Sequence, residues 1–169
     1  MSNLPAVRES VQGDATLHMV GFTVGSEEFG VDILKVQEII RMAPISIVPS
    51  APDFLEGVIN LRGRIIPIID FRKRFHIFDT AEVDERSRRI VVLSLNGTTI
   101  GMVVDSVSQV IKLAENRISP TPAVAKGFDS DAIAGVGQLA DRLLIVLDLE
   151  RVFAEHDLAD MGGVSAAHA

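Results

Sequence analysis

The chain has 169 residues, 47% of them hydrophobic and 23% charged. That is enough for one ordinary domain or two small ones with a real core, and it excludes a compositionally disordered chain and a multidomain enzyme of the usual size. The net charge of −7 sets a general repulsion toward polyanions, and nucleic-acid binding normally wants a broad basic face.

The 1–16 segment is polar and small-residue-rich, reads as a flexible tail, and carries no apolar run of the kind a secretory signal needs. His18 to Val24 is an apolar, β-rich run followed by Gly25-Ser26, and Glu27 to Val31 returns as its hairpin partner. A connection bearing Pro44, Pro49 and Pro52 leads to a second hairpin, Gly57 to Leu61 and Arg64 to Ile69, folded at Arg62-Gly63. Asp70 suits a helix N-cap, because its carboxylate accepts orphan backbone N–H groups, and one helical turn would run to Phe75. An acidic connector, 76–87, follows. Arg89 to Leu95 and Thr98 to Val104 then flank Asn96-Gly97, a strong hairpin signal. After a second connection with Pro120 and Pro122 come Gly135 to Leu139, a turn at Ala140-Asp141, Arg142 to Leu147, a second N-cap at Asp148 and a turn of helix to Phe153. The 156–169 segment reads as a flexible C-terminal tail. Ile65 to Ile69, among the longest apolar runs, falls far short of the ~18 residues of a membrane span, and with zero Cys a cytoplasmic, reducing setting is expected.

The elements repeat. Gly57 to Phe75 set against Gly135 to Phe153, at an offset of 78, matches Gly, Val, Leu, Arg, Asp and Phe at six of nineteen positions. Val20 to Ile40 set against Val91 to Ile111, at an offset of 71, matches Val20 with Val91, Gly30 with Gly101 and Val36 with Val107. Two matches in the same order point to an internal duplication. The expected fold is all-β with short helices: two five-stranded β-barrel subdomains, about 17–75 and about 88–155, each marginal alone and therefore packed together. An exchange of strands between the units is left open by the sequence.

Residues that would carry catalysis or metal binding are poorly placed. His18, His76, His156 and His168 are scattered, so no metal site is expected. Gly135-x-Gly137-x-x-Ala140 satisfies a dinucleotide fingerprint only formally, because a strand rather than a helix follows it. Asp129-Ser130-Asp131 lacks the Gly and Glu that a calcium loop requires. No enzyme activity and no cofactor are expected. Eight of the sixteen basic residues lie between Arg62 and Arg89 against five acidic ones, so that stretch is +3 and the remainder −10. It is a solvated face, a docking surface for an acidic partner, or, as an alternative function, a small β-barrel nucleic-acid module using Arg62, Arg64, Arg72, Lys73 and Arg74, against which stands the lack of Trp and Tyr to stack on bases.

Gly30-Val31-Asp32-Ile33-Leu34-Lys35-Val36-Gln37-Glu38-Ile39, then Pro52-x-Phe54-Leu55-x-Gly57-Val58-Ile59-Asn60-Leu61-Arg62-Gly63, then Ile65-Ile66-Pro67-Ile68-Ile69-Asp70-Phe71-Arg72, strongly resembles the CheW family of bacterial chemotaxis coupling proteins. The resemblance continues through Gly101 to Val107 and Asp141 to Asp148, spanning about Leu17 to Phe153; Phe71 departs from it, since the family more often has Leu there. It implies SH3-like barrels and a non-enzymatic adaptor that joins chemoreceptor cytoplasmic tips to the regulatory domain of the histidine kinase CheA and helps to assemble receptor arrays, with rings of paralogues left open. It also implies partner contacts at Val36, Glu38, Gly57 and Arg62.

The residues themselves allow narrower readings. Glu38 faces Gln109 across the repeats and Arg62 faces Ala140, so a shared structural role explains these charges poorly. Arg62 at a hairpin tip can offer a bidentate fork to a carboxylate, or simply pair with Glu38. Ile33 and Val36 either form an apolar strip for a receptor helix in a groove between the units or pack in the core. Gly57 matches Gly135, which argues for a backbone requirement. Ile45, Ile47 and Val48 are a candidate region for kinase docking, barrel against barrel.

Overall fold

A computed structural model describes residues 15–77, 83–120 and 133–152. The expected tails at 1–16 and 156–169 lie outside them but for 15 and 16, as do the middle of the connector, the Asp129-Ser130-Asp131 loop and Phe153. In chain order the elements are β1 (Thr16–Val24), β2 (Glu27–Asp32), a 3-10 turn (Ile33–Lys35), β3 (Val36–Arg41), β4 (Leu55–Leu61), β5 (Arg64–Asp70) and helix α1 (Phe71–Arg74). A 3-10 turn (Glu85–Ser87) leads to β6 (Arg89–Leu95), β7 (Thr98–Val104), β8 (Ser106–Ala114), β9 (Ile118–Ser119), β10 (Ile133–Gln138), β11 (Leu143–Leu147) and helix α2 (Leu149–Val152). The chain is mostly β, in two SH3-like units.

The hairpin turns behave as their residues dictate. Asn96 and Gly97 take φ of 50° and 81°, and Arg62 and Gly63 take 52° and 86°, the paired left-handed conformations whose twist matches that of the flanking strands. Asp70 accepts the backbone N–H groups of Arg72 and Lys73, capping α1.

The strands form a five-stranded sheet in the order β3-β6-β7-β5-β4 and a six-stranded sheet in the order β8-β1-β2-β11-β10-β9. Each sheet therefore takes strands from both halves of the chain, which corrects the boundaries of about 17–75 and 88–155 drawn from sequence order. The first hairpin of each repeat is built into the barrel of the other. Reciprocity extends to the register: Ile68 lies opposite Gly101 where parallel β5 meets β7, and Val146 lies opposite Gly30 where β11 meets β2. These are the same pairs under the offsets of 78 and 71. The bulge between Leu55 and Gly57 in β4 likewise recurs between Ile133 and Gly135 in β10.

The exchange is stabilised by burying both faces of these strands. Inside the five-stranded barrel Ile59, Ile66, Ile68, Ile90 and Val92 pack together, and inside the other Met19, Ile111, Leu113, Leu144 and Val146 do so. A third and larger core lies between the sheets, where Val20, Phe22, Val24, Val91, Leu93 and Met102 meet. Fully buried Phe71 sits at its centre, edge-on to Phe22 at 5.2 Å and Phe29 at 4.9 Å and 4.4 Å from Phe75. The large ring that departs from the family pattern is thus accommodated in an aromatic cluster. Outside the apolar contact, Asp105 joins the two barrels: its Oδ2 accepts the N–H of Gly25 in the β1–β2 turn at 2.8 Å and Nη2 of Arg72 in α1 at 2.6 Å.

Candidate functional site

Glu38 and Arg62, 24 residues apart in sequence, are brought into a direct ion pair between Oε2 and Nη2. The fold positions each by a local irregularity. A bulge between Val36 and Glu38 resets β3 against β6, and burial along the strand still alternates, leaving Glu38 half-buried between exposed Gln37 and Ile39. Arg62 occupies the left-handed turn between β4 and β5, held there by the Asn60 Oδ1, which accepts the Gly63 N–H at 2.8 Å. The Arg62 side chain is 69% exposed and that of Glu38 31%. Among the described residues only Glu38 takes this guanidinium, leaving further N–H donors toward solvent. Beside the pair, Arg64 Nη2 at 2.9 Å and Gln37 Nε2 at 3.4 Å both donate to Thr99 Oγ1, tying β3, β5 and β7 together. Neither Asn60 nor Thr99 is among the residues expected from sequence to form the site. Asn three residues before a turn glycine is a readable signal, whereas nothing local marks Thr99.

Gly57 is buried, with φ of +149°. A Cβ built there would overlap the Ser46 carbonyl oxygen and approach Ile45 Cγ2 to 2.7 Å. At the matching position, a Cβ on Gly135 would meet Ile118 Cγ2 at 2.6 Å and the Ser119 carbonyl oxygen at 2.8 Å. Both glycines let a short crossing segment lie directly on a strand, and in the first barrel that segment is fixed by two Ser46–Val58 backbone hydrogen bonds of 2.8 Å. Gly57 thus meets a backbone requirement. The same geometry separates the three residues of the candidate docking region: Ile45 packs half-buried against a barrel core, Val48 is half-buried, and Ile47 is 83% exposed.

Ile33 and Val36 are both half-buried against the large central core. Leu34 between them is 86% exposed, because Asp32 Oδ1 caps the 3-10 turn through the Leu34 N–H at 2.9 Å and turns that side chain outward. A cleft of about 250 Å³ lies alongside, lined by Val31, Asp32 and Lys35 with Leu95, Leu147 and Leu149. Lys35 bonds Glu150 at 3.0 Å at this cleft, and the carboxylate holds the ammonium above the usual lysine range. A three-residue helical turn inserted between strands defeats two-residue alternation, so the sequence pattern does not mark Leu34 as exposed.

The basic strip is largely consumed within the fold. Arg62 pairs with Glu38, Arg72 with Asp105 at 2.6 Å and Lys73 with Glu56 at 2.8 Å, while Arg74 lies over the rings of Phe54 and Phe75. The nucleic-acid alternative is not supported. Among the described residues no three His, Asp or Glu side chains gather to hold a metal, and no helix is long and apolar enough to cross a membrane.

Residues 18–157 match the family model of the CheW-like domain. The chain is 39% identical over 147 residues to a chemotaxis protein CheW of Klebsiella aerogenes, covering 87% of each, and 32% identical over 153 residues to one of Treponema pallidum, covering 89% of this chain and 90% of that one. The fold is similar to the crystal structure of the scaffolding protein TtCheW from Thermoanaerobacter tengcongensis, with a TM-score of 0.75 and 34% identity over 85% of this chain and 96% of that one. With its duplicated barrels and its turn-locked Arg62 facing Glu38, the chain belongs to the CheW family of chemotaxis coupling proteins, which are scaffolds and not enzymes.

Proposed function

We propose that this chain works in the cytoplasm as the adaptor between chemoreceptor cytoplasmic tips and the regulatory domain of the histidine kinase CheA, and is recruited with them into receptor arrays. The observation that carries the reading is the Glu38–Arg62 pair, exposed on one barrel and held in place by the Asn60-locked turn. A charge pair at the rim sets the orientation and rate of docking, and nearby apolar side chains supply the affinity. Among the described residues Leu34 and Ile47 are the two most exposed large apolar side chains, one beside Ile33 and the other within the 45–48 segment. Ile33 and Val36 support the receptor-facing turn from beneath, and Gly57 acts through the 45–48 segment. Arrays that also contain further copies or paralogues of this protein are compatible with the same surfaces.

The test is titration of the full chain with a CheA regulatory domain and with a receptor cytoplasmic fragment, separately and together, by isothermal calorimetry. The parent is expected to form a ternary complex. Arg62→Ala is expected to weaken at least one of the binary complexes by roughly tenfold, equivalent to about 1.4 kcal/mol, with little change in melting temperature, because an exposed pair contributes under ~1 kcal/mol to stability. Undiminished binding of both partners by this variant would remove Arg62 from the surface, and failure of the folded parent to bind either would remove the adaptor reading.

A further inference from the structure

The rest of the basic stretch is not neutralised in the same way. Arg41, the last residue of β3, lies directly opposite Arg89, the first residue of β6, in the antiparallel ladder. Like charges placed opposite one another on a sheet are destabilising. Both line a cleft of about 390 Å³ with Met42, Glu85, Arg86 and Arg88. Among the described residues four guanidiniums thus share one opening with a single lining carboxylate, and Glu85 is engaged by Arg88 at 3.1 Å. The Arg89 Nη1 is pinned by the backbone carbonyl oxygens of Arg86 and Arg88 at 2.7 and 2.8 Å, which fixes its charge at the mouth of the cleft. Among the described residues the side chains of Arg41 and Arg86 have no carboxylate partner, although most basic residues of the 62–74 stretch have one.

We infer that the Arg41–Arg86–Arg88–Arg89 cleft is a docking site for an acidic segment of a partner protein, its carboxylates gripped by guanidinium forks while its apolar residues rest on Met42 and Ile39. The occupant must be anionic, because an anion relieves the repulsion between Arg41 and Arg89 and uses donors that the fold leaves over. A short protein segment fits better than nucleic acid. The cluster is compact, and the apolar side chains of Met42 and Ile39 beside it suit the mixed acidic and apolar side chains of a peptide better than an extended phosphate backbone. Ile39, two residues before Arg41 on β3 and so on the same side of the strand, is 39% exposed and supplies an apolar anchor next to the charges. This surface is independent of the Glu38–Arg62 pair and does not rest on the adaptor reading.

The test uses the full chain and a fluorescein-labelled hexapeptide of alternating Glu and Leu, followed by fluorescence anisotropy at 50 and 300 mM NaCl. The parent is expected to bind at low salt and several-fold more weakly at high salt. Arg41→Thr combined with Arg86→Ala is expected to reduce binding at least tenfold, whereas Lys112→Ala, an exposed cation on β8 of the other barrel, leaves it unchanged. Arg41→Thr alone, which removes the like-charge pair, is expected to melt no lower than the parent, so lost binding cannot be put down to unfolding. Absent binding by the parent, or equal binding by the double variant, would overturn the inference. Tighter, Arg41- and Arg86-dependent binding of a single-stranded oligonucleotide of equal charge would also overturn it in favour of nucleic acid.

Discussion

Gly57→Ala is expected to destabilise the protein by about 3 kcal/mol, as the sum of overpacking and a strained backbone conformation. The new methyl group has no place to go: it overlaps a main-chain carbonyl, that of Ser46, and presses on Ile45 Cγ2 at 2.7 Å. A flexible side chain could move aside, but Ser46 is held to Val58 by two hydrogen bonds of 2.8 Å, so relief requires the crossing segment to lift off β4. The change is then transmitted to Ile47, which is 83% exposed on the same segment. Denaturant unfolding should place Gly57→Ala well below Gly135→Ala, since the matching glycine has a 2.8 Å approach to its carbonyl and no left-handed φ. Amide exchange at Ser46 and Val58 should rise ahead of global unfolding. If Gly57→Ala unfolds with the parent, the close crossing is not a constraint. Because Gly57 is buried, any loss of partner binding in this variant is indirect.

Asp105→Ala is expected to cost about 2–4 kcal/mol, the range for removing a charged acceptor that serves several buried donors. The Arg72 and Asp105 side chains are only 22% and 14% exposed, so water recovers little of what is lost. The carboxylate takes Arg72 through both Nη2 and Nε, at 2.6 and 3.3 Å, and also accepts the Gly25 N–H. Since Gly25 lies in the β1–β2 turn of one barrel and Arg72 in α1 at the end of β5 of the other, the loss falls on the junction. Asp105→Asn, which keeps an acceptor oxygen but no charge, should lie between the parent and Asp105→Ala in urea midpoint. Equal midpoints for all three would show that the apolar core alone holds the barrels together.

These two variants probe opposite kinds of information. The Gly57 constraint is legible in the amino-acid sequence, because an offset of 78 aligns it with Gly135 and a duplicated glycine signals a duplicated backbone need. The capping Asp70, the turn at Asn96-Gly97 and the exposed tip at Arg62 are equally local, each decided by residues within a few positions of one another. Asp105 could not be recognised so. Its partners, Gly25 and Arg72, lie 80 and 33 residues away in sequence, and its counterpart at the offset of 71 is Leu34, so even the repeat gives no hint.

Both hairpins of each repeat, the duplication and the family are legible in the sequence, because hydrophobic alternation, turn residues and caps act over short range and survive in each copy; β3 and β8, which no tight-turn signal introduces, are not. Tertiary structure alone decided which copy of each hairpin completes which barrel. A hairpin from either repeat presents nearly the same apolar pattern to the same site, and only the path of the chain through Ile33–Lys35 and around Asp105 carries it across. It also decided the charges: of one basic stretch, Arg62 to Arg74 is bound by the protein's own carboxylates, the Thr99 hydroxyl and aromatic rings, while Arg86 to Arg89 converge with Arg41 on an open cleft. Ion pairing depends on what the fold brings within a few ångströms, and linear charge density does not report that.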